Sequence, residues 1–132
     1  MTLLAKREYL DQVLTFVDTL LEEKNCTMRA QLELDIAVEE LFVNIASYAY
    51  RPIDGPVTIR VSFEGNMVSI MFIDSGKPYN PWEKEDPDIT LSAEERQIGG
   101  LGIYLVKNTM NQVDYRYENN QNILSIHKDI TI

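Results

Sequence analysis

Every glycine and every proline of this 132-residue chain lies between Pro52 and Gly102, and the first 51 residues contain neither. These are the residues that most often interrupt helices, so residues 1–50 are free to form long helical segments. Apolar spacing predicts two, broken near Glu22 to Thr27. In the first, Leu3, Leu10, Val13, Leu14, Val17, Leu20 and Leu21 recur at helical spacing, with Lys6, Arg7, Asp11, Asp18 and Glu22 mostly on the other side. That helix should cover a core. The second starts near a Thr27 or Asn25 cap, and Leu34, Val38, Leu41, Ile45 and Tyr48 form its apolar stripe. A neighbouring line carries Ala37, Glu40, Asn44 and Ser47.

After the turn RPIDGP the period falls to two. Val57, Ile59, Val61 and Phe63 alternate with polar residues, Glu64-Gly65-Asn66 turns the chain, and Val68, Ile70 and Phe72 alternate with Ser69 and Met71. This predicts a β-hairpin whose second strand runs into Asp74-Ser75-Gly76-Lys77-Pro78. Residues 77–98 hold three prolines, and six acids against two bases lie between Glu83 and Arg96. No apolar period survives there, so the segment reads as a mobile, solvated loop, longer than most connections and therefore of functional interest. IGGLGIYLVKNTM then opens a helix directly from a glycine cluster, and VDYRYE, NNQN and ILSIHKDI read as a closing hairpin. Strand pairs separated by helices predict an α+β domain, with a mixed or antiparallel sheet and helices on one face. A doubly wound parallel sheet would need strict βαβ alternation.

Composition narrows the function. A chain of this length, 45% hydrophobic and 25% charged, fits one globular domain over residues 1–132. With 12 basic against 21 acidic residues, a net charge of −9 repels phosphate backbones and anionic headgroups, and no basic patch offsets it. Direct binding to nucleic acid or to a membrane is not expected. Cys26, the single cysteine, cannot close an internal disulfide, and MTLLAKREYL lacks the apolar run of a secretory signal. The apolar runs are too short to span a bilayer. A cytoplasmic protein is the simplest expectation.

Three local features can carry chemistry. Gly99-Gly100-Leu101-Gly102 at a helix start would present unpaired N–H groups and a positive dipole end to a phosphate, although an isolated G-x-G also reads as a hinge before a helix. It matches neither a dinucleotide fingerprint nor a P-loop. Glu40 and Asn44 sit one turn apart, so both can point into one space. Solvated surface is the plain reading of that pair, yet Asn44 interrupts an apolar run, and an amide oxygen is a hard ligand suited to Mg²⁺. A carboxylate beside it can accept a proton from a nucleophile. Asp74 at a strand end is commonly a turn residue; its other use is as a buried acceptor for an exocyclic amine, with Gly76 letting a flat ring lie against the backbone.

In order and spacing these features resemble the GHKL ATPases, the histidine kinase-like superfamily, and within it most closely the single-domain anti-sigma factor serine/threonine kinases. ELDIAVEELFVNIASYAY is similar to the N-box, DSGKPYNP to the first glycine box, and GGLGIYLVKNTMNQVDY to the second. The resemblance implies a two-layer α/β sandwich of the Bergerat type, with a mixed sheet and an ATP lid over about residues 77–98. It implies Glu40 as general base, Asn44 as the Mg²⁺ ligand and Asp74 with Gly76 at adenine. Gly99, Gly100, Leu101 and Gly102 would cradle the phosphates, Arg96 would reach the γ-phosphate, and Ser125 on the closing strand would approach the adenine region. The substrate would be ATP, and the phosphate acceptor a hydroxyl of a STAS-domain anti-anti-sigma protein competing with a sigma factor for a homodimeric kinase. An ATP-dependent sequestering module without transfer is the alternative.

Tyr48, Ala49 and Asn111-Gln112 depart from the common pattern and leave the adenine and metal positions intact. A histidine-kinase catalytic module would need an acceptor histidine, and His127 falls in the last predicted strand, expected at the sheet edge. A gyrase- or Hsp90-like motor would need a transducer domain, for which the chain is too short.

Overall fold

A computed structural model describes residues 1–50, 52–83 and 100–132. Its elements are β1 (Thr2–Leu4), a 3-10 turn (Arg7–Tyr9), α1 (Leu10–Glu23), α2 (Met28–Tyr48), β2 (Pro56–Glu64) and β3 (Met67–Asp74). A second 3-10 turn (Pro81–Glu83), α3 (Gly100–Thr109), β4 (Gln112–Glu118) and β5 (Gln121–Asp129) follow. The five strands form one sheet in the order β1-β2-β3-β5-β4. Every pairing is antiparallel, so the sheet is antiparallel rather than mixed.

Local chemistry explains the breaks. α1 ends where Asn25 takes a left-handed φ of 57°, with Cys26 N–H donating to the Leu21 carbonyl and Asn25 N–H to that of Glu22, the pairing of a Schellman motif. Thr27 then caps α2, its hydroxyl accepting from Ala30 N–H at 3.1 Å. In the last hairpin Asn119 and Asn120 both have positive φ, as a two-residue type I′ turn requires.

Two further expectations change. Leu3 belongs to β1 rather than to the first helix. Its segment lies along the start of β2, with Met1 and Ile59 exchanging backbone bonds, and edge pairing outweighs a single apolar residue at helical spacing. His127 is not at an edge either, since β5 lies between β3 and β4.

All three helices pack on one face of the sheet. Val13, Val17 and Leu21 of α1, Leu34, Val38, Leu41 and Phe42 of α2, and Ile103 and Val106 of α3 bury against Val57, Ile59, Val68, Ile70, Phe72 and Ile126. Lys128 enters this interface from β5, its side chain 8% exposed, and its Nζ meets Glu33 at 3.0 Å and the Thr109 carbonyl at 2.8 Å. A cation at the C-terminal end of α3 complements the helix dipole.

The seam between α1 and α2 is less settled electrostatically. Asp18 Oδ1 and Asp35 Oδ1 are both buried and find no donor among the described residues, and the two carboxyls lie within hydrogen-bond reach of each other. Burial, then the bond to Asp18 and the charges of Asp18 and Glu22, push the Asp35 carboxyl up to about 8. A carboxyl with a raised folded pKa holds its proton more tightly when folded. Its contribution to stability is therefore full below the unfolded value of 3.8 and fades as pH rises to about 8. Asp18→Asn supplies a permanent donor. It should raise Tm at pH 8 by about 4 °C, the equivalent of one net hydrogen bond in a domain this size, with little change at pH 4; melting curves across that range test this.

Candidate functional site

The alternation that builds the core also delivers Asp74. Val68, Ile70 and Phe72 of β3 are buried toward the helices, and the same phase lands Asp74 on that side, 5% exposed. Asn122 of β5 stands opposite it in register, in phase with Leu124 and Ile126. Its Nδ2 donates to Asp74 Oδ1 at 3.0 Å and to the Lys77 carbonyl at 3.0 Å. Its Oδ1 accepts from Tyr79 N–H at 3.1 Å and from the Tyr115 hydroxyl at 2.6 Å. Gly76 N–H also donates to Asp74 Oδ1, at 2.9 Å. Among the described residues both bonds to the carboxylate thus end on Oδ1, which leaves Oδ2 for a donor entering from beside it. Burial raises the Asp74 pKa above the usual carboxylate range, and the Asn122 and Gly76 donors oppose that rise.

Asp74 lies in the wall of a cavity of about 450 Å³ between α2, α3 and the ends of β3, β4 and β5, lined mainly by apolar groups including Leu41, Ile45, Ile103, Pro78 and Leu124. Asn44 and Tyr48 line it from α2. A largely apolar hollow with one buried carboxylate suits a flat heteroaromatic ring bearing an amine. Asn44 Nδ2 donates to Glu40 Oε1 at 3.3 Å, which leaves the amide oxygen as the group able to take a hard cation. The Glu40 carboxylate lies against the first turn of α3, and a methyl group at Gly102 would collide with it. An anion there meets the positive end of the helix dipole.

The structure therefore brings Glu40, Asn44, Gly100, Leu101 and Gly102 together where α2 meets α3, with Asp74 in the wall of the adjoining cavity. Gly99 and Arg96 lie outside the described residues, as do residues 84–98 of the expected lid. Two residues at the described end of that segment pack onto the domain. Pro81 is buried, Trp82 packs on the core, and Trp82 Nε1–H donates to the Asp114 carbonyl at 3.0 Å. A Cβ at Gly76 would strike the Ala49 backbone, so its small size lets the turn close against the end of α2. Ser125 is a correction. One residue out of phase with Asn122 and Leu124, it lies on the other face of the sheet, in a hollow with Ser69 and His127.

Sequence reading puts Asn122 at the start of the closing strand but gives it no role in the site, and it does not single out Tyr115 or Tyr50. The Tyr50 hydroxyl accepts from Ser75 N–H at 2.7 Å and donates to the Pro56 carbonyl at 2.6 Å, tying the strand ends to α2. Counting back by twos from Leu124 would have found Asn122. No sequence signal marks Tyr50.

The family profile of the histidine kinase-like ATPase domain matches residues 3–128. The chain is 27% identical over 100 residues to the serine/threonine-protein kinase BtrW of Bordetella bronchiseptica, covering 74% of this chain and 70% of that protein. It is 28% identical over 96 residues to the serine-protein kinase RsbW of Bacillus thuringiensis, covering 70% of this chain but 60% of that relative. In fold it is similar to the histidine kinase domain of the blue-light activated histidine kinase of Erythrobacter litoralis. That match has a TM-score of 0.56 at 12% identity over 95% of this chain and 61% of that one. Against the Acinetobacter baumannii histidine kinase AdeS the TM-score is 0.53 at 12% identity, over 100% of this chain and 68% of that one. Among the described residues no helix is long and apolar enough to cross a membrane.

Proposed function

Because this chain belongs to the histidine kinase-like ATPase domain family, we propose that it is a cytoplasmic ATP-dependent protein serine/threonine kinase and anti-sigma-type regulator. It transfers the γ-phosphoryl group of ATP to a hydroxyl on a STAS-domain anti-anti-sigma partner and sequesters a sigma factor, working as a homodimer. The observation that carries the transfer step is the Glu40 carboxylate, bonded to Asn44 and lying against Gly102 at the head of α3. A purine pocket alone has no use for it.

Each residue has a separable task. Asp74 Oδ2 accepts the exocyclic amine of adenine while Asn122 and Gly76 occupy Oδ1. Ile45, Ile103 and Leu124 exclude water from the ring. The first-turn N–H groups of α3 receive phosphate oxygens. Asn44 fits a Mg²⁺ ion, which takes few protein ligands and completes its shell with water and phosphate oxygens; when bound, the ion neutralises charge on the transferring group. Glu40 accepts the proton of the partner's hydroxyl as its oxygen bonds to the γ-phosphorus and the bridge to ADP breaks.

The direct test is incubation of the protein with labelled Mg-ATP and a STAS-domain partner, expecting label on a serine or threonine of the partner. Tight ATP binding with no transfer would replace the kinase reading with sequestration alone. For the metal assignment, Asn44→Ala should weaken ATP binding in Mg²⁺ by about tenfold and leave binding in EDTA unchanged, as titration calorimetry reads directly.

A further inference from the structure

The sheet face turned away from the helices carries a hydrogen-bonded set that the nucleotide chemistry does not use. Cross-strand register places Ser62, Ser69, His127 and Gln112 in one row across four strands. Ser69 Oγ lies 2.7 Å from His127 Nδ1, and His127 Nε2 lies 2.9 Å from Asp114 Oδ2. Gln112 Nε2 holds the same carboxylate oxygen at 3.0 Å. In the tautomer that carries its hydrogen on Nε2, the imidazole donates to the Asp114 carboxylate. Nδ1 is then the acceptor and the Ser69 hydroxyl donates to it. Hydroxyl, base and orienting carboxylate are thereby aligned in sequence, the arrangement that activates a serine.

The surroundings suit a reacting group. Ser69 and His127 line an open hollow of about 460 Å³ that also receives Arg60 and Ser62. The His127 side chain is 24% exposed and that of Asp114 53%, so the set is reachable from solvent. Ser62 stands directly opposite Ser69, and Arg60 lies two residues along on the same face. Both can donate to a carbonyl oxygen that becomes anionic.

We propose that this face is a second reactive site, with Ser69 as a nucleophile toward small acyl esters, His127 as its base and Asp114 as the residue that orients the base. Ser69 Oγ bonds to the ester carbonyl carbon as its proton passes to His127 Nδ1. The ester C–O bond then breaks, the alcohol leaves with that proton, and the acyl group stays on Ser69. No residue of the nucleotide cavity takes part, so the proposal stands or falls independently of the kinase reading.

A fluorophosphonate probe tests it on the full chain: the serine oxygen displaces fluoride from phosphorus, and peptide mapping locates the adduct. The expected result is an adduct on Ser69 of the unaltered protein, absent in Ser69→Ala. It should form about 10²-fold more slowly in His127→Gln, the usual contribution of a general base, and at least about tenfold more slowly in Asp114→Asn, which disturbs the tautomer. Melting curves of each variant separate loss of reactivity from loss of fold. No adduct, an adduct only on other serines, or an unchanged rate in a folded His127→Gln protein would overturn the proposal and leave the set as a brace across the sheet.

Discussion

Glu40→Gln should lower phosphoryl transfer to a protein partner by at least about 10²-fold, the contribution of a positioned general base, while ATP affinity stays close to that of the unaltered protein. The amide keeps the length and shape of the carboxylate in the tight space beside Gly102, and its oxygen still accepts from Asn44 Nδ2. What it loses is the capacity to take a proton. Single-turnover transfer and equilibrium ATP binding, measured on the same preparation, separate the two effects. Unchanged transfer in the glutamine variant would remove Glu40 from the mechanism, and a parallel loss of ATP binding would make it a binding residue instead.

Asp74→Asn should cost about 10²-fold in ATP affinity, in keeping with a lost hydrogen bond to a charged group plus a buried mismatch. The substitution is nearly isosteric. Oδ1 can still receive Asn122 Nδ2 and Gly76 N–H, so the new amide nitrogen takes the Oδ2 position and, with adenine bound as proposed, would face its amine with a donor. A purine carrying a carbonyl at that position, as inosine triphosphate does, should then lose far less affinity than ATP. Competition binding with the two nucleotides measures the ratio; an unaltered ATP preference would place the base elsewhere. Melting curves should change little, since both internal bonds remain.

The sequence exposes Asp74 because a two-residue period is rigid: once Val68, Ile70 and Phe72 are assigned inward, the position after them is inward too. The helical period does the same for Glu40 and Asn44, one turn apart. Periodicity fails where pairing partners decide. Leu3 fits a helical stripe and still joins an edge strand, because the start of β2 offers backbone partners that the sequence does not announce. Ser125 and Asn122 lie on one closing strand in opposite phase, and the register with β3 decides which of them faces the cavity. The turn proper is Asn119-Asn120 alone, closed by the Glu118 and Gln121 pair.

Residue order and spacing by themselves determined the helix and strand periods, the glycine-led start of α3 and the family pattern, because each depends on neighbours within a turn or a hairpin. Which groups meet across the fold was decided only by tertiary structure. The buried Asn122 linking Asp74 to the 77–79 backbone, the Asp18 and Asp35 carboxyls across two helices, and the Ser69, His127 and Asp114 row all join residues from separate elements. Burial sets their chemistry: a polar group withdrawn from water must find its partner within the protein or change its protonation, and sheet register and helix packing choose that partner.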